Sequence, residues 1–287
     1  MISNMKKLFL VLVAVLAFLP LRAGKIVTDS LSSRILGRQM KYNVYLPDGF
    51  EKGRRYPVVY LLHGLSDDYT AWRDKGNMQI VTDELMRSGE ACPMVIVMPG
   101  AGCSDVRNSF NGYFNQRGYN YEDYFFKELL PAVEKKYRCG GAKGRRAVMG
   151  LSMGGGGSTV YSQRHPDMFS SCYAMSAWLD TTEPDDSDPS DKLYIVSKSV
   201  HEHSAIDFVI NADEATLAEL RTVKWFFDCG DDDFLFDLSA RIYQEMRRRK
   251  VKAELRVRDG WHCWEYWHQA LRTALPFASR NFGDSNA

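Results

Sequence analysis

The chain has 287 residues, of which 45% are hydrophobic and 13% aromatic, so it can bury a core and is not a disordered protein. Lys and Arg number 37 against 36 Asp and Glu, a net charge of +1. With no basic excess to neutralise phosphates, a nucleic-acid partner is disfavoured.

At the N-terminus, Lys6 and Lys7 precede an uninterrupted apolar run of 12 residues, Leu8 to Leu19, and Leu21-Arg22-Ala23 offers a small-residue cleavage site. A membrane-spanning helix needs about 20 apolar residues. Residues 1–23 are therefore expected to be a signal peptide and residues 24–287 one domain. The expectation is an exported protein, periplasmic or extracellular, with no membrane attachment after cleavage. Loss of Lys6, Lys7 and Arg22 takes the net charge from +1 to −2. Six cysteines, Cys92, Cys103, Cys139, Cys172, Cys229 and Cys263, are irregularly spaced with no C-x-x-C, so no metal site is expected from them. Cys172 and Cys229 sit in apolar runs and read as small buried hydrophobes.

In chain order, Met40 to Leu46 alternates and predicts a strand. Pro57 to Leu62 and Pro93 to Met98 are short continuous apolar runs, the pattern of buried parallel strands. Tyr121 to Tyr137 predicts a helix with Tyr124, Phe125, Leu129, Val133 and Tyr137 on one stripe. Arg146 to Met149 leads as a strand into a glycine cluster, followed by a helix over Ser158 to His165. Ser171 to Ala177, Val223 to Cys229 and Ala253 to Val257 predict three more strands, and Phe234 to Arg249 and Cys263 to Ala274 two more helices. This alternation predicts an α/β fold, a doubly wound, mostly parallel sheet with helices on both faces. The acidic stretch Asp180 to Asp191 reads as a solvated loop. Together with the segment to Asn211 it forms a long excursion, either a wall of a binding cleft or a surface insertion.

Gly150-Leu151-Ser152-Met153-Gly154 is a G-x-S-x-G between a predicted strand and a predicted helix. In that setting the serine occupies a strained turn, its Oγ stands above the sheet, and the helix N-terminus faces any developing oxyanion. His63-Gly64-Leu65 follows a buried strand, where such folds supply a second oxyanion donor, so the backbone N–H groups of Leu65 and Met153 are the candidates. His63 precedes the loop and is expected to orient it. Of the six histidines, His262 lies just after the last strand, the position of a catalytic base; His201 and His203 form an H-x-H that lacks further ligands for a metal. The acid should lie between Ser152 and His262 after a strand. There Asp228, Asp231, Asp232 and Asp233 compete, and composition does not choose among them.

Taken together, the segments VVYLLHGLSDD, GLSMGG, YEDYFFKELLPAVEKKY, HPDMF, CGDDDFL and DGWHCWEYW resemble the esterase D and feruloyl-esterase-like group of α/β-hydrolases, carbohydrate esterase family one. The resemblance runs from Met40 to about Phe277. It implies an α/β-hydrolase catalytic domain with a Ser-His-Asp triad. The family's C-G-x-x-D-x-L pattern lands the acid on Asp233, and G-x-H-x-W-x-x-W lands the base on His262, with Trp264 and Trp267 as the aromatic positions. Cys263 departs from the family's usual small polar or acidic residue, and a pairing with Cys229 is one consequence to look for.

The implied chemistry is ester hydrolysis through an acyl-enzyme, with no cofactor and no metal. The implied substrate is a small ester or polysaccharide ester, acetyl or feruloyl. A sugar-directed acyltransferase of the mycolyltransferase type, a peptidase and a polysaccharide-binding relative that has lost catalysis are the alternatives. The aromatic loop Gly100 to Tyr119 and part of Trp178 to Asn211 are expected to wall the cleft. Phe110, Tyr113, Phe114 and Tyr119, with Trp264, are the candidate substrate contacts.

Overall fold

Residues 23–184 and 188–283 are described by a computed structural model, so the expected signal peptide, apart from Ala23, lies outside the described residues. In chain order the elements are β1 (Lys25–Ser33), β2 (Arg38–Leu46), β3 (Val58–Leu62), α1 (Ala71–Asp74), α2 (Met78–Ser88), β4 (Val95–Pro99), β5 (Asn115–Gln116), β6 (Tyr119–Asn120) and α3 (Tyr121–Tyr124). A π-helical segment, Phe125–Leu129, joins α3 to α4 (Leu130–Tyr137). Then come β7 (Arg146–Leu151), α5 (Met153–Arg164), β8 (Ser171–Met175), α6 (Lys192–Glu202), α7 (Ala205–Asn211), α8 (Glu214–Leu220), β9 (Lys224–Gly230), α9 (Phe236–Arg248), β10 (Ala253–Arg258) and α10 (Trp264–Asn281).

Eight strands form one sheet in the order β1-β2-β4-β3-β7-β8-β9-β10, in which β1 and β2 are antiparallel to their neighbours and the rest run parallel. Side chains alternate between its faces. Val58, Tyr60 and Leu62 enter one core with α3 to α9, while Val59 and Leu61 enter another with α2 and α10. The sheet is thus doubly wound with helices on both faces, as the alternation of elements predicts, and among the described residues no helix is long and apolar enough to cross a membrane.

Several elements depart from expectation for physical reasons. β1 pairs with β2 over nine residues, but it is a half-exposed edge strand whose polar residues mask its periodicity. The helix after the glycine turn starts at Met153, not Ser158: Gly154 to Gly157 are helical despite their low propensity, because the helix is buried on all sides and only glycine fits there. A Cβ on Gly154 would stand 2.5 Å from the His63 carbonyl oxygen. The excursion is helical as α6 and α7, so His201 lies in a helix rather than an extended chain. The stripe of Tyr121 to Tyr137 is buried as expected, with the π segment set just before Pro131, which has no N–H to donate to the turn behind it. All six cysteines are free, so Cys263 does not pair with Cys229; Cys172 and Cys229 are buried.

Candidate active site

β7 ends at Leu151 and α5 begins at Met153, which leaves Ser152 alone in the turn between them. Its φ of 53° and ψ of −119° are strained for a residue with a Cβ. The turn is clamped from β8: Ser152 N–H donates to the Met175 carbonyl at 2.9 Å, and the Ser152 carbonyl accepts from the Trp178 N–H at 3.0 Å. Gly150 is required by close approach, since a Cβ there would meet the Gly154 carbonyl oxygen at 2.4 Å. Ser152 Oγ lies 3.0 Å from His262 Nε2, and His262 Nδ1 lies 2.9 and 3.1 Å from the two Asp233 oxygens.

Of the four competing aspartates, Asp233 is therefore the one that meets His262. Asp231 and Asp232 are exposed and zip the acid and base loops together. The Asp231 carboxylate accepts from the Gly260 N–H at 3.1 Å, and the Asp232 N–H donates to the Gly260 carbonyl at 3.1 Å. Asp228 is fully buried in a different network, accepting from Tyr266 Oη at 2.6 Å, from Arg258 at 3.0 and 3.1 Å, and from the Tyr173 hydroxyl. Burial raises the pKa of Asp233, but donation from His262, the Leu235 N–H and the Ser176 hydroxyl outweighs it and holds the carboxyl below its ordinary range. A carboxylate can only accept, so Nδ1 of His262 carries the proton and Nε2 presents its lone pair to Ser152.

The N–H groups of Leu65 and Met153 donate to no acceptor among the described residues. The loop carrying Leu65 is held by His63, which is 1% exposed. Its Nδ1–H donates to the Gly64 carbonyl at 2.8 Å while Nε2 accepts from the Ala101 N–H at 2.9 Å. Acceptance at Nε2 requires the neutral ring, and burial lowers its pKa.

The expected aromatic contacts are placed differently. Tyr113, Phe114 and Tyr119 are 1, 5 and 3% exposed, so their rings are core and are closed to a substrate. Tyr113 Oη donates to the His63 carbonyl at 3.0 Å, Phe114 stacks on His203, and Phe110 stacks on Tyr119 beneath the Lys192 ammonium. Trp264 packs edge-on against Trp72 and Trp267 and props the base loop. The aromatic loop and the excursion also touch each other, while the start of each reaches the site: the Ala101 N–H donates to His63 and the Trp178 N–H to the Ser152 carbonyl. The Lys192 N–H donates to the Arg107 carbonyl at 3.0 Å, and a recess of about 290 Å³ between Gln116, Arg117, Tyr194 and Lys198 contains none of Ser152, His262 and Asp233.

Three neighbours of the triad-like group escape the sequence reading. Ser176, fully buried at the end of β8, accepts from Trp267 Nε1 at 3.0 Å and donates to Asp233. No sequence signal marks it. Phe234 lies 4.5 Å from the His262 ring, centroid to centroid, and Trp261 directly precedes His262. Both are exposed, and adjacency to Asp233 and His262 is the signal that could have found them.

The Esterase family model matches residues 33–278. A solved ferulic acid esterase is 49% identical, covers 91% of this chain and 100% of its own, and superposes with a TM-score of 0.88. A ferulic acid esterase from Anaeromyces mucronatus, solved with ferulic acid, shares the fold at 20% identity and a TM-score of 0.72, covering 91% of this chain and 93% of its own. An endo-1,4-beta-xylanase/feruloyl esterase of Xylanibacter ruminicola is 32% identical over 151 residues, 51% of this chain and 20% of that protein. The chain spans less than half the length of the curated relatives it matches.

Proposed function

This chain belongs to the Esterase family and is a carboxylic-ester hydrolase, and we propose that it is an exported serine esterase that removes feruloyl groups from plant polysaccharide. The observation that carries the mechanism is the line of contacts from Asp233 through His262 to Ser152, at 2.9 and 3.0 Å. The 49% identical ferulic acid esterase supports the acyl group.

His262 Nε2 takes the Ser152 proton as Oγ attacks the ester carbonyl. The carbonyl oxygen becomes an oxyanion and is met by the Leu65 and Met153 N–H groups. Asp233 holds the imidazole in the needed tautomer and stabilises the imidazolium. Its lowered pKa keeps it ionised for that role. The imidazolium returns its proton to the leaving alkoxide. Water, deprotonated by the same nitrogen, then releases the acid and regenerates Ser152. We further propose that residues 1–23 are the export signal and residues 24–287 the catalytic domain.

The test is turnover of methyl ferulate beside acetyl and butyryl esters. Ser152→Ala and His262→Ala should each lower kcat by about 10⁴-fold or more, and the double variant should be scarcely worse, because the residues act as a unit. Near-wild-type activity in either variant, or a preference for acetyl over feruloyl esters, overturns the corresponding half of the reading.

A further inference from the structure

Two of the most exposed large hydrophobic side chains among the described residues adjoin Asp233 and His262 in the chain: Phe234 at 76% exposure and Trp261 at 65%. Single exposed apolar residues are ordinary, but an exposed ring lying on the imidazole, with a second large exposed ring on the residue next to it in the chain, invites a partner. Packing explains only part of it. The Phe234 ring lies on His262 at 4.5 Å and 45°, and the buried Trp267 meets the same imidazole edge-on at 4.9 Å. That contact occupies one side of Phe234 and leaves most of the ring in solvent. The backbone around Trp261 is closely packed: its carbonyl accepts from the Cys263 N–H at 2.9 Å, and a Cβ placed on Gly230 would stand 3.0 Å from its nitrogen. The loop is thus held without help from the indole.

The chemistry says which part of an ester these rings meet. The carbonyl oxygen must lie toward the Leu65 and Met153 N–H groups. The leaving oxygen must lie beside His262 Nε2 to receive its proton. Groups flanking the imidazole therefore touch the alcohol side of the ester, and the acyl group points away from them. The alcohol of a polysaccharide ester is a sugar, whose ring has an apolar face of weakly positive C–H bonds. An aromatic face is weakly negative and suits it. We propose that Phe234 and Trp261 form the leaving-group subsite, an aromatic shelf that stacks on the sugar ring carrying the ester. This deepens the reading of the site as a polysaccharide esterase and rests on it.

The experiment compares two substrates with the same acyl group, a feruloylated xylo-oligosaccharide and methyl ferulate, in wild type, Phe234→Ala, Trp261→Ala and Trp261→Phe. The ratio of kcat/KM for the saccharide over the methyl ester should fall about fivefold in each alanine variant, chiefly through KM, and be largely restored in Trp261→Phe. The acid limb of the pH profile should stay in place, since a shelf that acted only by holding His262 would move it. Equal losses on both substrates, or an unchanged ratio, overturn the shelf. A second measurement needs no turnover: calorimetric titration of Ser152→Ala with unesterified xylo-oligosaccharide should show binding that weakens on adding Phe234→Ala or Trp261→Ala. No binding to Ser152→Ala also overturns it. Failure of wild type to hydrolyse methyl ferulate would instead sink the feruloyl reading.

Discussion

Ser176 is the residue whose role is least visible in the sequence and most specific in the structure. It sits at φ 44° where β8 ends, takes a hydrogen bond from Trp267 and passes one to Asp233. It touches no reacting atom under the proposed mechanism, so it is a positioning residue. Ser176→Ala should lower kcat about tenfold with little change in KM, the worth of one hydrogen bond to a charged group. Steady-state kinetics on methyl ferulate check this, and a KM effect with kcat intact would mean Ser176 acts on the substrate instead. His63 makes a prediction of opposite kind, in stability. Its folded pKa lies below the ordinary 6.5 because burial disfavours the charged ring. Below pH 6.5 the unfolded chain therefore binds a proton that the folded chain refuses, and stability falls as pH drops through that range. Guanidinium unfolding at pH 7.5 and 5.5 should show this loss in wild type and a smaller one in His63→Asn. An equal pH dependence in both would remove His63 as its source.

Elements whose side chains report their own surroundings are legible from sequence. β3 and β4 are continuous apolar runs because both faces of the central sheet are covered. The glycine turn is legible because steric need leaves a residue-level mark at Gly150 and Gly154. Elements set by their neighbours are not. The first turn of α5 is written in glycines that predict a loop, and β1 is an edge whose polar residues face water. The loop from Gly100 to Tyr119 is the instructive case. Its aromatic residues suit stacking on a substrate and equally suit packing, and only three-dimensional placement separates the two. Tyr113 lies against Gly157 of α5, crosses Tyr121 edge-on and donates to the His63 carbonyl. Tyr113→Phe should therefore cost about 1 kcal/mol of stability through that one hydrogen bond, and Tyr113→Ala about 3–5 kcal/mol through the cavity it leaves. Chemical denaturation measures both. Unchanged stability with a raised KM for feruloyl esters would return Tyr113 to the substrate.

At the scale of the molecule, the proposed triad is spread over three places in one sheet: Ser152 after β7, Asp233 after β9 and His262 after β10. Angstrom-level geometry between residues 110 positions apart needs the strand ends themselves to be fixed. The network around Asp228 does this from within. It gathers Tyr173 of β8, Arg258 of β10 and Tyr266 of α10 onto one buried carboxylate of β9, while the Arg258 guanidinium also lies over the Tyr266 ring at 4.5 Å. Two outcomes of breaking it are physically distinct. Removing one partner strands the others, and breaking a buried pair costs about 3–5 kcal/mol. Replacing every member with apolar groups of similar size can be nearly neutral, because the desolvation of the ions is also abolished and no donor is left unpaired. Asp228→Asn should thus lower stability by about 3 kcal/mol, and Asp228→Leu combined with Arg258→Met, Tyr173→Phe and Tyr266→Phe, which leaves no buried donor unpaired, should recover much of that loss. Activity should separate from stability in that fully apolar variant: an apolar plug restores packing but offers no directional bonds to hold the base loop, so kcat should stay depressed after the melting temperature has recovered. Thermal unfolding and methyl ferulate turnover on the same preparations decide it. If kcat returns together with stability, the network is packing alone and the register between acid and base is set elsewhere, by the zipped backbone of Asp231, Asp232 and Gly260.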